Sequence, residues 1–341
     1  MLETIWFILW GLLWAVYFML DGFDFGMGTL MPFITKNETE RRTLYNAAGP
    51  FWDGNEVWLI TAGGVTFAAF PKVYAVMFSA LYAPLLIILF ALIMRAVSYE
   101  FRAKVDCGKW RTMWDCFQFL GNFLPALLFG VAFANFFMGI PIDADGVYHG
   151  NILKLLSPYG LAGGIFFVVM FCMHGALWLA IKSSGVLHDR ALNVARGIWP
   201  YLVGLAIAFL ALSITYTNLW ANYVHVPALY ILPILAVVAL ITSRFFMASN
   251  SAVGAWVCSA VFIVCVTFFG VAGMFPSMLI SSIDPAATLT AFNASSSTLT
   301  LSIMLGVTVV MIPIVICYQA WAYSVFRHKI TDSDLNHDNA Y

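Results

Sequence analysis

Charged side chains are scarce in this sequence. Only 10% of its 341 residues are Asp, Glu, Lys or Arg, whereas 62% are hydrophobic. A soluble domain of this length needs far more charge to cover its surface. The apolar residues fall in long runs, each able to cross a hydrocarbon core about 30 Å thick. Backbone N–H and C=O groups in lipid need partners within the same segment, so these runs must be helical. The composition predicts an all-α integral membrane protein.

Cysteine patterns for metal binding or disulfides are also missing. The six cysteines include no Cys-X-X-Cys pair, and most lie in apolar runs, where cysteine packs as a small hydrophobic residue. The first apolar run has no basic segment before it and no small-residue cleavage site. We therefore interpret it as a retained first helix and not as a removed signal peptide.

The apolar runs predict about nine transmembrane spans. The first span ends in an acidic, glycine-rich stretch and the second begins with one, so a count of eight, with one of them re-entrant, is the alternative. We expect residues 1–329 to form one membrane domain without internal repeats, and residues 330–341 a short polar tail. The predicted spans are 4–28, 51–70, 74–97, 114–138, 160–182, 198–219, 227–247, 253–275 and 301–326.

Basic residues divide unequally between the two sides of these spans. With nine spans, 14 of the 16 Lys and Arg residues fall on one side, and only Lys72 and Lys154 fall on the other. Basic loops stay in the cytoplasm, so the C-terminus is predicted to be cytoplasmic and the N-terminus periplasmic.

Four acids near the predicted cytoplasmic side are candidates for chemistry. Asp21 and Asp24 are three residues apart and therefore share a helix face, and Asp53 and Glu56 repeat that spacing. Acids at membrane depth are costly, and ion or proton movement is the default hypothesis for them. We interpret the four as a proton pathway. The alternative is that they cap helices or pair with arginines at the headgroup level.

Other residues in the predicted spans have less specific interpretations. Beside Asp53, the amide of Asn55 can hold a water molecule or a carboxylate. Arg95 is either an anchor that reaches the headgroups or a counter-ion for one of the acids. His174 is the one histidine near the middle of a span, and a haem in a helix bundle usually needs axial ligands on facing helices. We therefore expect no haem or other metal in this chain, and any redox cofactor on a partner. Trp58, near the start of the second span, is expected to be a packing residue.

Several motifs resemble cytochrome bd oxidase subunit II. The segment from Gly49 to Gly64 is the most specific of them. The motifs are DGFDFG at 21–26, TERR at 39–42, GPFWDGNEVWLITAGG at 49–64, FPKVYA at 70–75, WRTMWD at 110–115, HGA at 174–176 and NASSS at 293–297.

The resemblance implies a fold and a function. Members have two four-helix bundles and one peripheral helix, and they assemble with subunit I, which holds haems b and d. The complex oxidises quinol and reduces dioxygen to water with cytoplasmic protons, and it is electrogenic without pumping. The acid matching Asp53 belongs to a proton pathway at the subunit interface, with Asp21 and Asp24 nearby. Trp58 matches a tryptophan beside a proposed dioxygen route. A structural quinone and a small single-helix third subunit accompany some members.

One position departs from the family pattern. Glu56 stands where at least some members carry a neutral glutamine, so two like charges lie three residues apart and an identical proton route is not implied. Two other functional hypotheses stay open: a stand-alone proton-coupled transporter, and a structural subunit whose acids make no catalytic difference.

Overall fold

Helices form most of the computed structural model, which describes residues 1–335. A short antiparallel pair of strands, β1 (Ser277–Leu279) and β2 (Leu289–Thr290), lies in the loop before the last long helix. Within the described residues the helices are α1 (Leu2–Ile34), α2 (Glu38–Ala48), α3 (Trp52–Ala69), α4 (Pro71–Ala80), α5 (Tyr82–Phe101), α6 (Gly108–Met138), α7 (Ile152–Leu155), α8 (Pro158–Lys182), α9 (Gly185–Tyr216), α10 (Leu219–His225), α11 (Ile231–Ala248), α12 (Ala252–Met274), α13 (Thr298–Val325) and α14 (Asp332–Leu335).

Eight helical segments of the described chain are long and apolar enough to cross a membrane. This confirms the all-α membrane class. The predicted second span corresponds to α3, which is not among the eight because Asp53, Asn55 and Glu56 occupy its first turns. The count of nine spans and the orientation therefore stay predictions. The eight segments are Leu2–Ile34, Tyr82–Lys104, Gly108–Met138, Pro158–Lys182, Gly185–Tyr216, Pro227–Ala248, Ala252–Met274 and Thr298–Val325.

The predicted span at 74–97 is wrong as a single helix. The chain breaks at Leu81 into α4 and α5. Pro84 has no N–H to donate to the carbonyl of Ala80, so an uninterrupted helix would lose a hydrogen bond there. In the observed arrangement Pro84 lies in the first turn of α5, where a missing N–H costs little.

Glycines let α1 and α8 approach until their backbones touch. A Cβ on Gly26 would lie 1.8 Å from the carbonyl oxygen of Phe171, and a Cβ on Gly175 would lie 2.4 Å from the backbone nitrogen of Met27. Small residues at helix contacts commonly permit such packing in membranes. The contact fixes the part of α1 that carries Asp21 and Asp24. α1 also continues six residues past its predicted end at 28, to Ile34.

The long helices divide into two groups and one peripheral helix. α1, α3, α5 and α6 form the first group, and α8, α9, α11 and α12 form the second, with α1 in contact with both. α13 packs mainly on α1 and α3, and only 6% of the residues in its most apolar stretch are buried within the described chain. The arrangement resembles the predicted two bundles with a peripheral helix.

Many of the Arg and Lys residues lie at one end of the molecule, which is called here the basic end. α1, α5 and α8 finish there, and α6 and α9 begin there. Arg190 in α9 donates to the carbonyl of Ile34 at 2.8 Å, and Arg102, just after α5, donates to Asp115 in α6 at 2.6 Å. Of the predicted tail, residues 330–335 lie against this end, where the backbone N–H of Ile330 donates to the carbonyl of Lys182. Residues 336–341 of that tail lie outside the described residues.

Candidate functional site

Arg95 joins three helices in the interior of the first group. Its Nη1 donates to Oδ1 of Asp21 at 2.8 Å, and its Nη2 donates to Oδ2 of Asp21 and to Oε2 of Glu56, both at 3.1 Å. The side chains of Arg95 and Asp21 are fully buried, whereas that of Glu56 is 22% exposed. The interpretation of Arg95 as a headgroup anchor is therefore wrong. Its ion pairs connect α5 to α1 and α3.

Packing keeps Arg95 away from the basic end. It lies six residues before Phe101, or about 9 Å along the helix axis. Gly121 lets α6 pass closely over this part of α5, since a Cβ there would lie 2.8 Å from the Cβ of Arg95. The guanidinium carbon also lies 4.8 Å from the ring centroid of Phe25. The side chain therefore meets its neighbours within the bundle.

Asp24 is buried beside this ion pair without a cation of its own. Its Oδ2 accepts a hydrogen bond from Nδ2 of Asn55 at 2.8 Å, and Oδ1 meets no donor in the described residues. The carboxyls of Asp21 and Asp24 are close enough to interact directly. The hydroxyl of Tyr323 donates to Oδ1 of Asn55 at 2.7 Å and so orients the amide. When one of two adjacent carboxyls is protonated, its O–H can donate a hydrogen bond to the other, so the pair shares a single proton.

Asp53 lies apart from this cluster. Successive residues of an α-helix are rotated by about 100°, so Asp53 points roughly opposite to Asn55. Its side chain is exposed on the face of α3 that also carries Val57 and Ile60, and it makes no ion pair or hydrogen bond with the described residues. Glu56 is only one residue, or about 100°, from Asn55 around the helix, and its side chain reaches Arg95. The structure thus brings together Asp21, Asp24, Glu56 and Arg95, but leaves Asp53 at the surface.

Trp58 connects α3 to the peripheral helix α13 through a hydrogen bond. Its indole N–H donates to Oε1 of Gln319 at 3.0 Å, and Nε2 of Gln319 donates to the carbonyl of Gly54 at 2.8 Å. The indole is only 5% exposed. This geometry gives Trp58 a packing role and leaves the dioxygen route untested.

Two apolar cavities lie elsewhere in the described chain. One, of about 370 Å³, lies between α6, α8, α9, α11 and α12, and Phe166, Trp199 and Phe262 are among its lining residues. The other, of about 690 Å³, lies between α3, α5 and α6 and is bordered by Ile60 and Leu92. Neither is lined by Trp58 or by the four acids.

His174 is unsuited to ligate a haem. Its Nδ1 is 3.0 Å from Oγ of Ser259, and its Nε2 is 3.0 Å from the carbonyl oxygen of Met19. Trp256 stacks on the imidazole with ring centroids 5.0 Å apart. Both nitrogens and one face of the ring are thus engaged. In residues 1–335, no group of three or more His, Cys, Asp or Glu side chains is placed to hold a metal ion.

Three residues, two of them buried and Tyr323 partly buried, belong to the site but were not selected from the sequence as proton-pathway residues. They are Tyr99, Gln118 and Tyr323, all near the acids. Gln118 could have been predicted from the sequence. It lies four residues before Asn122 inside the apolar span 114–138, and that spacing places both polar side chains on one helix face. Nothing local marks Tyr323, since tyrosine at the end of a membrane helix is ordinary.

Comparisons with known proteins agree with this architecture. The family model for cytochrome bd terminal oxidase subunit II matches residues 2–326. Cytochrome bd-I ubiquinol oxidase subunit 2 of Escherichia coli K12 is 36% identical, covering 98% of this chain and 96% of the relative. Cytochrome bd ubiquinol oxidase subunit 2 of Bacillus subtilis is also 36% identical, covering 98% of both chains.

A solved structure shows the same fold at low sequence identity. A chain of the bd oxidase from Geobacillus thermodenitrificans superposes with a TM-score of 0.77 at 15% identity, covering 95% of this chain and 98% of that one. The family model and the relatives extend over nearly the whole sequence, including all four acids and Arg95. This chain therefore belongs to the cytochrome bd terminal oxidase subunit II family.

Proposed function

We propose that this chain carries cytoplasmic protons through its interior toward the haem-bearing subunit of its oxidase. As a member of its family it is a subunit of a quinol oxidase in the bacterial cytoplasmic membrane, which disfavours the stand-alone transporter. The observation that carries the proposal is Asp24, a fully buried carboxyl that meets an amide and a second carboxyl but no cation of residues 1–335. An acid in this setting can hold a proton and release it when a neighbouring charge changes.

The charges of the cluster support a retained proton. Asp21, Asp24 and Glu56 bring three carboxyls to the single guanidinium of Arg95. An unpaired charge in such an interior costs several kcal/mol, so the fully ionised cluster is disfavoured. Arg95 pairs with Asp21 and Glu56, which leaves Asp24 as the carboxyl best placed to remain neutral. The proton that it keeps is the one available for relay.

Asp53 is the proposed exit from this chain. It lies three residues before Glu56 on α3 and is exposed beside the apolar residues Val57 and Ile60, which are 47% and 70% exposed. A polar group on an apolar helix face that lacks a covering helix suits a subunit contact. We assign this face, together with the exposed side of α13, to the haem-bearing subunit I.

Four finer assignments follow the family resemblance. Haems b and d are assigned to subunit I, in agreement with the engaged nitrogens of His174. The 370 Å³ cavity is almost wholly apolar, and its chemistry suits the prenyl tail of a structural quinone. Trp58 is assigned to the border of a dioxygen route. A small single-helix third subunit is assigned to the complex.

The test is the Asp24→Asn variant in the assembled oxidase. Asparagine keeps the shape and the contact with Asn55 but cannot release a proton, so we expect quinol-dependent oxygen uptake per haem to fall at least about tenfold. Asp24→Glu should retain much more activity. Asp145→Asn, an exposed acid in the loop at the opposite end, is the control. An uptake rate for Asp24→Asn within about twofold of the wild type would overturn the relay.

A further inference from the structure

Buried polar atoms without partners are concentrated in one part of the described chain. Eleven buried side-chain nitrogen or oxygen atoms make no hydrogen bond, and nine of them belong to α1, α5 or α6. Each such atom destabilises the folded chain if it stays unsatisfied. Groups of them inside proteins are typically satisfied by bound water. The distribution marks the interior of the first helix group as a place for internal water.

A polar stripe on α6 runs inward from the basic end. Asp115, Gln118 and Asn122 occupy positions i, i+3 and i+7, which share one helix face. Gln118 and Asn122 are fully buried. Apart from the contact of Gln118 with Tyr99, the oxygen and nitrogen of the Gln118 amide and the oxygen of the Asn122 amide make no close hydrogen bond with the described residues. Asn122 packs against the backbone of α1, since a Cβ on Gly28 would lie 2.0 Å from its Nδ2.

The outer end of this stripe is a polar cluster at the basic end. Asp115 accepts hydrogen bonds from Arg102 at 2.6 Å, from Arg41 at 2.8 Å and from the hydroxyl of Tyr45 at 3.2 Å. Arg102 also binds Glu38, whose side chain is 42% exposed. The cluster therefore reaches from water to the first turns of α6.

Tyr99 closes the gap between the stripe and the acids. It is 2% exposed, and its side chain lies next to both Gln118 and Asp24. Its ring contacts Tyr45 with centroids 5.6 Å apart and stacks on Trp52 at 5.3 Å, which holds it in place. A continuous series of polar side chains thus leads from the basic end to Asp24 and does not include Asp53.

We propose that Gln118 and Tyr99 bind a short file of water molecules that delivers protons from the basic end to Asp24. The ligand of the site is water, and protons move along it by exchange of hydrogen bonds without any change of redox state. This inference rests on the proposed relay function and adds its intake. Asp53 then acts only on the exit side.

Two variants test the intake in the assembled oxidase. Gln118→Leu keeps the volume and removes the amide, and Tyr99→Phe removes one oxygen and keeps the stacking on Trp52. We expect each to lower quinol-dependent oxygen uptake per haem about fivefold or more, and the double variant to lower it further. The ratio of rates in H₂O and D₂O should rise, because proton delivery becomes rate-limiting.

The matched control is Tyr223→Phe. Tyr223 is also fully buried, but its hydroxyl donates to the carbonyl of Phe269 at 2.8 Å, away from the acids. Turnover and isotope ratio should stay at the wild-type values in this variant. Rates are expressed per haem, so poor assembly does not count as slow proton delivery.

The outcomes separate the intake from the relay. If Asp24→Asn is slow while Gln118→Leu, Tyr99→Phe and their combination match Tyr223→Phe, the water file is overturned and the relay through Asp24 stands. If Asp24→Asn is as fast as the wild type, the relay itself fails. Slow turnover with a raised isotope ratio in Asp24→Asn and both intake variants supports both.

Discussion

The guanidinium of Arg95 donates to both carboxylate oxygens of Asp21, at 2.8 and 3.1 Å, and neither side chain is exposed. The two residues are 74 positions apart in the sequence. Removing one partner of such a pair leaves an uncompensated charge in the interior, which costs about 3–5 kcal/mol. The pair therefore holds α1 and α5 in register around the acids.

Arg95→Met is expected to destabilise the oxidase strongly. The thermal unfolding midpoint of the purified complex should fall, and less haem-bearing complex should be recovered. Combining it with Asp21→Asn removes the stranded charge and should restore part of the loss. A double variant no more stable than Arg95→Met alone would contradict the ion-pair account.

Asp53→Asn is expected to slow the assembled oxidase while leaving its haem content intact. The side chain is exposed and makes no ion pair or hydrogen bond with the described residues, so the substitution should not disturb folding. Quinol-dependent oxygen uptake should fall at least about tenfold if the carboxyl passes protons to the partner. Unchanged turnover would reduce Asp53 to a structural role.

Glu56→Gln is expected to be tolerated. A glutamine oxygen can still accept the hydrogen bond from Arg95, and the change brings the cluster closer to electrical balance. Oxygen uptake should stay within about twofold of the wild-type rate. A loss as large as that expected for Asp24→Asn would instead make Glu56 an obligatory carrier.

Gly26→Ala is expected to force α1 and α8 apart. The added Cβ would lie 1.8 Å from a backbone oxygen that cannot move aside alone. Overpacking of this kind costs about 1–3 kcal/mol or more, so the unfolding midpoint of the complex should drop. Gly204→Ala is the matched control in a membrane helix, because nothing lies within 4 Å of its added Cβ. Equal midpoints for the two variants would refute the close helix contact.

The attachment of α2 is expected to weaken in acid. Burial tends to raise the pKa of Glu40, but hydrogen bonds from Arg190 and from the backbone of Lys36 outweigh it and lower the pKa below its ordinary value of 4.5. A lowered folded-state pKa gives stability that is present above pH 4.5 and is lost as the pH falls through the folded-state value. The stability difference between wild type and Glu40→Gln, measured by thermal unfolding at a series of pH values, should therefore shrink in acid. A constant difference from pH 7 down to acid would contradict this.

The sequence by itself determined the class of protein and the candidate acids. Long apolar runs must be helical in lipid, which is a local consequence of composition and hydrogen bonding. The break between α4 and α5 was not among these predictions, because the apolar run at 74–97 indicated a single span. The segment from Gly49 to Gly64 carried the most specific resemblance to the family, and the acids stood out because charges at membrane depth are rare.

The tertiary structure decided which of these residues meet. It turned Arg95 inward to Asp21, placed Asn55 on Asp24, and left Asp53 outside. Sequence spacing gives the direction of a side chain around its own helix, but the identity of its partner depends on how distant helices pack. The contacts of Gly26 with α8 and of Gly121 with α5 fix that packing. Burial and pairing arise from these contacts between distant segments, so residue types alone could not supply them.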